Sequence, residues 1–245
     1  AENKERYGIV EDETIKEIYP SYFEPFEILE ETYSLDSVEI LSPTLPSKAV
    51  CVGLNYSDHA KEMNIPLPTS PVLFMKPSST TIGPNCPIIH PALSNQVDYE
   101  GELAIVIKKR AHQVNIEDIR EYILGYTCAN DVTARDLQKK DGQWTIAKGF
   151  DTFMPIGPII SDEVNPDHLA ITTYLNDVVV QKSNTNNLIF SALYLASYIS
   201  QIMTLYPGDV ILTGTPGGIG NMEIGDMVKV EIEGIGVLTN TYNRI

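Results

Sequence analysis

Val97-Asp98-Tyr99-Glu100-Gly101-Glu102-Leu103-Ala104-Ile105-Val106-Ile107 is the stretch on which the fold turns. Its last five residues are an apolar run suited to a buried strand, and its middle places two carboxylates two residues apart. Strand side chains alternate faces, so Glu100 and Glu102 are expected on one side of one sheet. At about 6–7 Å and an effective dielectric near 20, two such charges repel by roughly 2–3 kcal/mol. An enclosed site must offset that repulsion, and a hard divalent cation does so while taking oxygen ligands. A solvated strand face, where paired acids need no partner, is the alternative reading of this stretch alone.

Toward the N-terminus, Pro71 to Pro77 and Ala49 to Leu54 read as strands. Between them Asn55 to Met63 reads as a short helix, capped by Ser57 or Asp58 and stopped by Pro66 and Pro68. The spacing predicts a small β-rich region over 1–45, with strands at Arg6–Val10 and Val38–Leu41. Ser42-Pro43-Thr44-Leu45-Pro46 marks a boundary before a main domain over 46–245. Toward the C-terminus, a helix is expected to open at Asn115–Ile119, and a strand from Leu124 to Asp131 to run into a helix over Thr133–Gln138. Residues 139–153 form a long mixed loop of the kind that tends to be functional. Strands follow at Pro155–Ser161, Ile171–Leu175, Val178–Lys182, Asp209–Thr213, Met227–Ile232 and Gly236–Thr239. One helix, Phe190 to Leu205, has apolar residues all round and is expected to be largely buried. Strands outnumber helices and do not alternate with them regularly, which predicts a β-rich α+β domain of mixed sheets rather than a doubly wound one.

The 245 residues suffice for one large domain or a main domain with an appendage. Hydrophobic and charged fractions of 43% and 20% are those of a soluble globule. A net charge of −16 with no basic cluster argues against nucleic acid and anionic membrane surfaces as partners. Any anionic substrate must then be drawn in by a metal or by a few placed Arg and Lys. No apolar signal-peptide core or membrane-length run is present, and Cys51, Cys86 and Cys128 form no CxxC pair. The expectation is a cytoplasmic protein with reduced thiols.

Asp131 adds a third acid where a strand gives way to a helix, and alone it reads equally as a helix cap. With Glu100 and Glu102 it would make an all-oxygen site that selects Mg²⁺, Mn²⁺ or Ca²⁺ over zinc. His59 and Glu62, spaced i, i+3, share a helix face. A carboxylate beside an imidazole raises its basicity, as in a general base that activates water; a surface pair is the alternative. Arg135 and Gln138 share the same spacing, and an Arg fork can hold a substrate carboxylate while Gln orients a carbonyl or water. Lys148 could supply a point charge to an oxyanion. Gly214-Thr215-Pro216-Gly217-Gly218-Ile219-Gly220 lacks both the Walker A ending and the third glycine of the dinucleotide fingerprint. It remains a tight turn able to offer backbone N–H groups and the Thr215 hydroxyl to an anion.

Taken together, these pieces resemble the fumarylacetoacetate hydrolase family over about residues 46–245. The resemblance rests on Val52–His59, Phe74–Pro77, Val97–Leu103, Asn130–Gln138, Ala147–Asp151 and Thr213–Gly220, in that order. It implies a mostly β catalytic domain with layered sheets, assembled as a homodimer. It also implies metal ligands at Glu100, Glu102 and Asp131, a His59–Glu62 dyad, and substrate contacts from Arg135, Gln138, Lys148 and Thr215. The chain is much shorter at its N-terminus than the founding hydrolase. A fourth ligand carboxylate there is replaced by the neutral Asn55 region.

Both departures resemble the smaller members, which act on acylpyruvates, oxaloacetate or 2-hydroxy-dienedioates. The chemistry implied is stabilisation of an enolate at C3 of a small 2-oxo acid by the cation. Water activated by His59 would then cleave an acylpyruvate to pyruvate and an acid, the activity expected first. Isomerisation of 2-hydroxyhepta-2,4-diene-1,7-dioate or decarboxylation of oxaloacetate follows from the same sink. A catalytically inert ligand-binding member would have lost a ligand or a dyad residue, and none is lost.

Overall fold

In a computed structural model that describes residues 4–62, 66–140 and 142–244, without the side chains of His59 and Glu62, the chain falls into two compact units, Ala1–Ile40 and Leu41–Ile245. The first unit is an antiparallel meander of β1 (Tyr7–Glu11), β2 (Thr14–Tyr19) and β3 (Glu27–Ser34). Arg6 ties it together by reaching both carboxylate oxygens of Glu17 at 2.6 Å. Val38–Leu41 forms no strand; β2 and β3, whose alternation is masked by acids, take its place in the pattern.

The second unit continues with β4 (Ala49–Gly53), α1 (Ser57–Glu62), β5 (Val72–Lys76), β6 (Thr81–Ile82) and β7 (Ile88–Ile89). Then come β8 (Val97–Tyr99), β9 (Gly101–Ile107), β10 (Ile123–Asn130), β11 (Thr133–Ala134), α2 (Arg135–Gln138) and α3 (Thr145–Lys148). It closes with β12 (Met154–Ser161), β13 (Ala170–Leu175), β14 (Val178–Asn184), α4 (Ala192–Ile202), β15 (Val210–Leu212), β16 (Gly220–Asn221), β17 (Met227–Ile232) and β18 (Gly236–Asn243). A mixed seven-stranded sheet has the order β5-β4-β15-β9-β10-β12-β6, and a five-stranded sheet the order β14-β13-β17-β18-β7. Leu103, Ile105 and Ile107 of β9 pack with Ile171 of β13, Val230 and Ile232 of β17, and Ala192, Ala196 and Ile199 of α4. The opposite face of the larger sheet packs Ala49, Cys51, Ala104 and Ala129 with Met154, Ile156, Val210 and Leu212.

The stretch 97–107 is two strands, not one. Its pairing changes at Glu100: β8 lies in a three-stranded sheet with β11 and β16, whereas β9 lies in the seven-stranded sheet. The neighbouring strand changes sheets at the same level, where Asp131 and Val132 separate β10 from β11. Backbone groups freed at the break find other partners. Glu100 N–H donates to Asn130 Oδ1 at 2.9 Å, Gly101 N–H to Gln181 Oε1 at 3.0 Å, and Asp131 N–H to Glu100 O at 2.9 Å. These long-range bonds explain why alternation within the stretch does not reveal the break.

Two helices also differ from expectation. Eight residues separate Val114 from the start of β10, and only a 3-10 turn at Ile119–Tyr122 fits between them. Helix α4 begins after Ser191, whose Oγ accepts from Tyr194 N–H, and buries Ala192, Leu195, Ala196, Ile199 and Ser200. Its other side carries a stack of Phe190, Tyr194 and Tyr198, so it is amphipathic rather than buried all round.

Candidate metal centre

The double change of sheet brings the three acids together. One carboxylate oxygen from each of Glu100, Glu102 and Asp131 lies within 4.8 Å of the others, and all three side chains are buried. Glu100 comes from the break itself, Glu102 from the second residue of β9, and Asp131 from the residue after β10.

Cations surround two of the acids. Lys148, the last residue of α3, donates to Glu100 Oε2 at 3.0 Å and to Asp131 Oδ2 at 2.6 Å. Arg135 at the start of α2 pairs with Glu100 Oε1 through Nη2, with Asp98 Oδ2 through Nε at 2.7 Å, and with Gln138 Oε1 through Nη1 at 2.6 Å. Lys76, at the end of β5, lies with its Nζ 2.8 Å from Asp131 Oδ1. Burial alone would raise the Glu100 pKa, yet the ammonium of Lys148 and the guanidinium of Arg135 hold it at about 2. The same acids raise the Lys148 pKa against the effect of its burial.

Glu102 is different. It is 1% exposed, and among the described residues its one partner is Gly214 N–H, which donates to Oε2 at 2.6 Å. Burial first, and the charges of Asp131 and Glu100 after it, push its pKa well above the usual carboxylate range, and Lys148 offsets part of this. A buried anion without a counter-ion is costly unless it is neutralised. Asp131, by contrast, is paired on both oxygens, with the Lys148 ammonium at Oδ2 and the Lys76 ammonium 2.8 Å from Oδ1, although the Lys76 hydrogens point to three carbonyls. An all-oxygen donor set in which one buried acid lacks a counter-ion fits a hard divalent cation.

A pH dependence follows. In the metal-free protein Glu102 keeps its proton at pH values where the unfolded chain, near 4.3, has lost it. The folded state then binds more protons, so this contribution to stability is present below about pH 4.3 and fades as pH rises through the raised pKa. Glu100, held at about 2, contributes a constant amount over pH 5–8. Urea midpoints in chelator are expected to fall from pH 5 to 8, and Mg²⁺ to flatten that fall. A midpoint that rises with pH in chelator contradicts the assignment.

The glycine-rich turn gives the Gly214 N–H to the protein's own anion, Glu102. Gly214 has a φ of +102°, and a Cβ there would lie 2.8 Å from Asn55 Cβ, so the close approach requires glycine. Thr215 donates its hydroxyl hydrogen to Gly101 O at 2.9 Å and accepts from Gln181 Nε2 at 2.8 Å, which ties the turn to the break in the opening stretch. Asn55 accepts from Phe190 N–H and donates to Thr213 O and Phe190 O, a strut beneath the turn. Burial raises the pKa of Cys51 well above the usual thiol range and that of Cys128 to about 12, so neither is a thiolate nucleophile.

Glu100, Glu102, Asp131, Arg135, Gln138 and Lys148 therefore meet in one connected network, with Thr215 at its edge through Gly101. The His59 and Glu62 side chains lie outside the described residues. Their helix α1 leaves the end of β4, which runs parallel to β15 and ends beside Thr213 and Gly214. Lys76, Asp98 and Gln181 were not singled out by sequence. For Lys76 a signal existed: alternation along β5 puts it on the same face as Phe74, an unusual place for a lysine.

Among known proteins, residues 48–243 match the family described as fumarylacetoacetate (FAA) hydrolase C-terminal, and residues 1–43 match the one described as Rv2993c-like, N-terminal. A protein of Archaeoglobus fulgidus is 57% identical over 211 residues, covering 86% of this chain and 84% of that one. The mitochondrial oxaloacetate tautomerase Fahd2a of Rattus norvegicus is 44% identical over 215 residues, covering 83% of this chain and 69% of that one. A crystal structure of 2-hydroxyhepta-2,4-diene-1,7-dioate isomerase from Mycobacterium marinum superposes with a TM-score of 0.88 at 46% identity, over 94% of this chain and 88% of that one. Among the described residues no helix is long and apolar enough to cross a membrane.

Proposed function

The chain belongs to the fumarylacetoacetate hydrolase family, and from that premise we propose that it is a divalent-cation-dependent enzyme of small 2-oxo acids that interconverts their keto and enol forms. The observation that carries this reading is Glu102, a buried acid left without a counter-ion beside two acids that have theirs. A Mg²⁺ or Mn²⁺ ion held by Glu100, Glu102 and Asp131 supplies Lewis acidity toward a 2-oxo oxygen.

The remaining work falls to side chains with donors to spare. Arg135 has five N–H groups and uses three, so two remain for a substrate carboxylate. Gln138 accepts from Arg135 through Oε1 and keeps its NH₂ for a substrate oxygen. Lys148 uses two of three hydrogens and has one left for the oxygen that gains charge as the C3 proton leaves. The proton itself is assigned to His59, with Glu62 one turn further along α1.

The activities named for the Mycobacterium marinum and rat proteins, an isomerase and a tautomerase, favour proton transfer over bond cleavage as the leading reaction. Acylpyruvate hydrolysis is the second reading, favoured by the His59–Glu62 spacing, since moving a proton needs no activated water. Decarboxylation of oxaloacetate would use the same donors. A homodimer and a reducing, cytoplasmic location belong to the same proposal; the three free thiols fit the latter.

A panel of enol-oxaloacetate, 2-hydroxyhepta-2,4-diene-1,7-dioate, acetylpyruvate and fumarylpyruvate, with and without Mg²⁺, tests it, with light scattering on the same sample to read the assembly. Fast Mg²⁺-dependent ketonisation is expected, slowed about 10²–10⁴-fold by His59→Ala. Acetylpyruvate cleavage faster than any tautomerisation would promote the second reading. Turnover of none of the four would refute both.

A further inference from the structure

We infer that Lys76 is a positioning residue of the acidic centre, setting where Asp131 and Lys148 stand relative to Glu100 and Glu102. Its side chain is fully buried. Its ammonium donates to three carbonyls that come from different parts of the chain: Val132 O at 2.9 Å, Lys148 O at 2.8 Å and Phe153 O at 2.8 Å.

Each acceptor adjoins something the site uses. Val132 follows Asp131 at the point where β10 gives way to β11. Lys148 O is the last carbonyl of α3, an end that helices leave without an internal partner, and it belongs to the residue whose ammonium bridges Glu100 and Asp131. Phe153 O also accepts from Val132 N–H at 3.1 Å, so the third contact locks the same two segments against each other. One ammonium thus fastens edge strand β5 to the Asp131 corner and to the end of α3. Its Nζ also lies 2.8 Å from Asp131 Oδ1, an ion pair that holds the carboxylate at the same corner.

With no N–H to spare, Lys76 cannot hydrogen-bond a substrate, and it differs in this from Lys148. The inference rests on reading the acidic centre as a cation site. It makes a prediction opposite in sign to the simple electrostatic one. Removing a positive charge beside Asp131 would, on Coulomb grounds alone, tighten binding of a divalent ion. Removing a positioning group should loosen it.

The test uses Lys76→Met, which keeps the length of the chain without its donors, and Lys76→Arg, which keeps the charge but cannot place three hydrogens at one point. Mn²⁺ binding to the full-length protein is followed by electron paramagnetic resonance, and folding by cooperative thermal melts. Both variants are expected to fold and to bind Mn²⁺ about 10–100-fold more weakly than the wild type. At saturating Mn²⁺, kcat on the best 2-oxo acid should fall by a similar factor while KM changes little. Wild-type or tighter Mn²⁺ affinity in Lys76→Met overturns the inference. So does failure of both variants to fold, which would make the tripod a strut of the fold. If the wild type binds no Mn²⁺, the cation-site reading has failed first and the inference falls with it.

Discussion

Replacing Glu102 by glutamine is expected to abolish divalent-cation binding and to lower turnover at least about 10³-fold while leaving the fold intact. The substitution keeps the shape of the side chain and an oxygen for the Gly214 N–H, so the glycine-rich turn should stay in place. It removes the charge that burial and its neighbours oppose, and the metal-free variant should melt at or above the wild-type temperature. In the wild type, Mg²⁺ at 100 times its Kd should add about 2.7 kcal/mol of stability, and in Glu102→Gln it should add nothing. Retained activity after exhaustive chelation, or a variant still stabilised by Mg²⁺, would count against the role of Glu102.

Lys148→Met should have the next largest effect, with a twofold signature. Removing the ammonium strips the buried Glu100 and Asp131 of their shared partner, and breaking such a pair costs about 3–5 kcal/mol. Losing a donor aimed at developing charge typically costs a further 10²–10³-fold in kcat. Glu100, held at about 2 with this lysine present, should shift upward. A divalent cation should restore much of the lost stability, because it neutralises the same acids, but not the lost kcat. Chemical denaturation with and without Mg²⁺, run beside steady-state kinetics, separates the two. Full recovery of kcat with Mg²⁺ would reduce Lys148 to a counter-ion.

Much of the frame could be read from the chain because buried strands announce themselves. The runs at 49–53, 103–107 and 227–232 are apolar or alternate cleanly, and they form β4, most of β9 and β17. The break at Glu100 could not be read, since it depends on the Asn130 and Gln181 side chains, which arrive from distant strands. Helix α3 was hidden in an apparent loop because it spans four residues, too few for a periodic signal.

The acids of the centre were legible as residue types. Their meeting was implied by the family resemblance, and physically it depends on two strands changing sheets together. The counter-ions were less legible. Arg135 reads as a substrate clamp, yet three of its five N–H groups are already held by Asp98, Glu100 and Gln138. Thr215 reads as a ligand hydroxyl, yet its hydrogen goes to Gly101 O. Spacing along the chain exposes which groups face one way, but not which of their donors are already taken.

Diffraction at the manganese absorption edge from crystals grown with Mn²⁺ addresses the centre most directly. One anomalous peak per chain is expected, bounded by Glu100, Glu102 and Asp131. A map with no peak among those three acids, or with manganese bound elsewhere on the chain, would contradict the account.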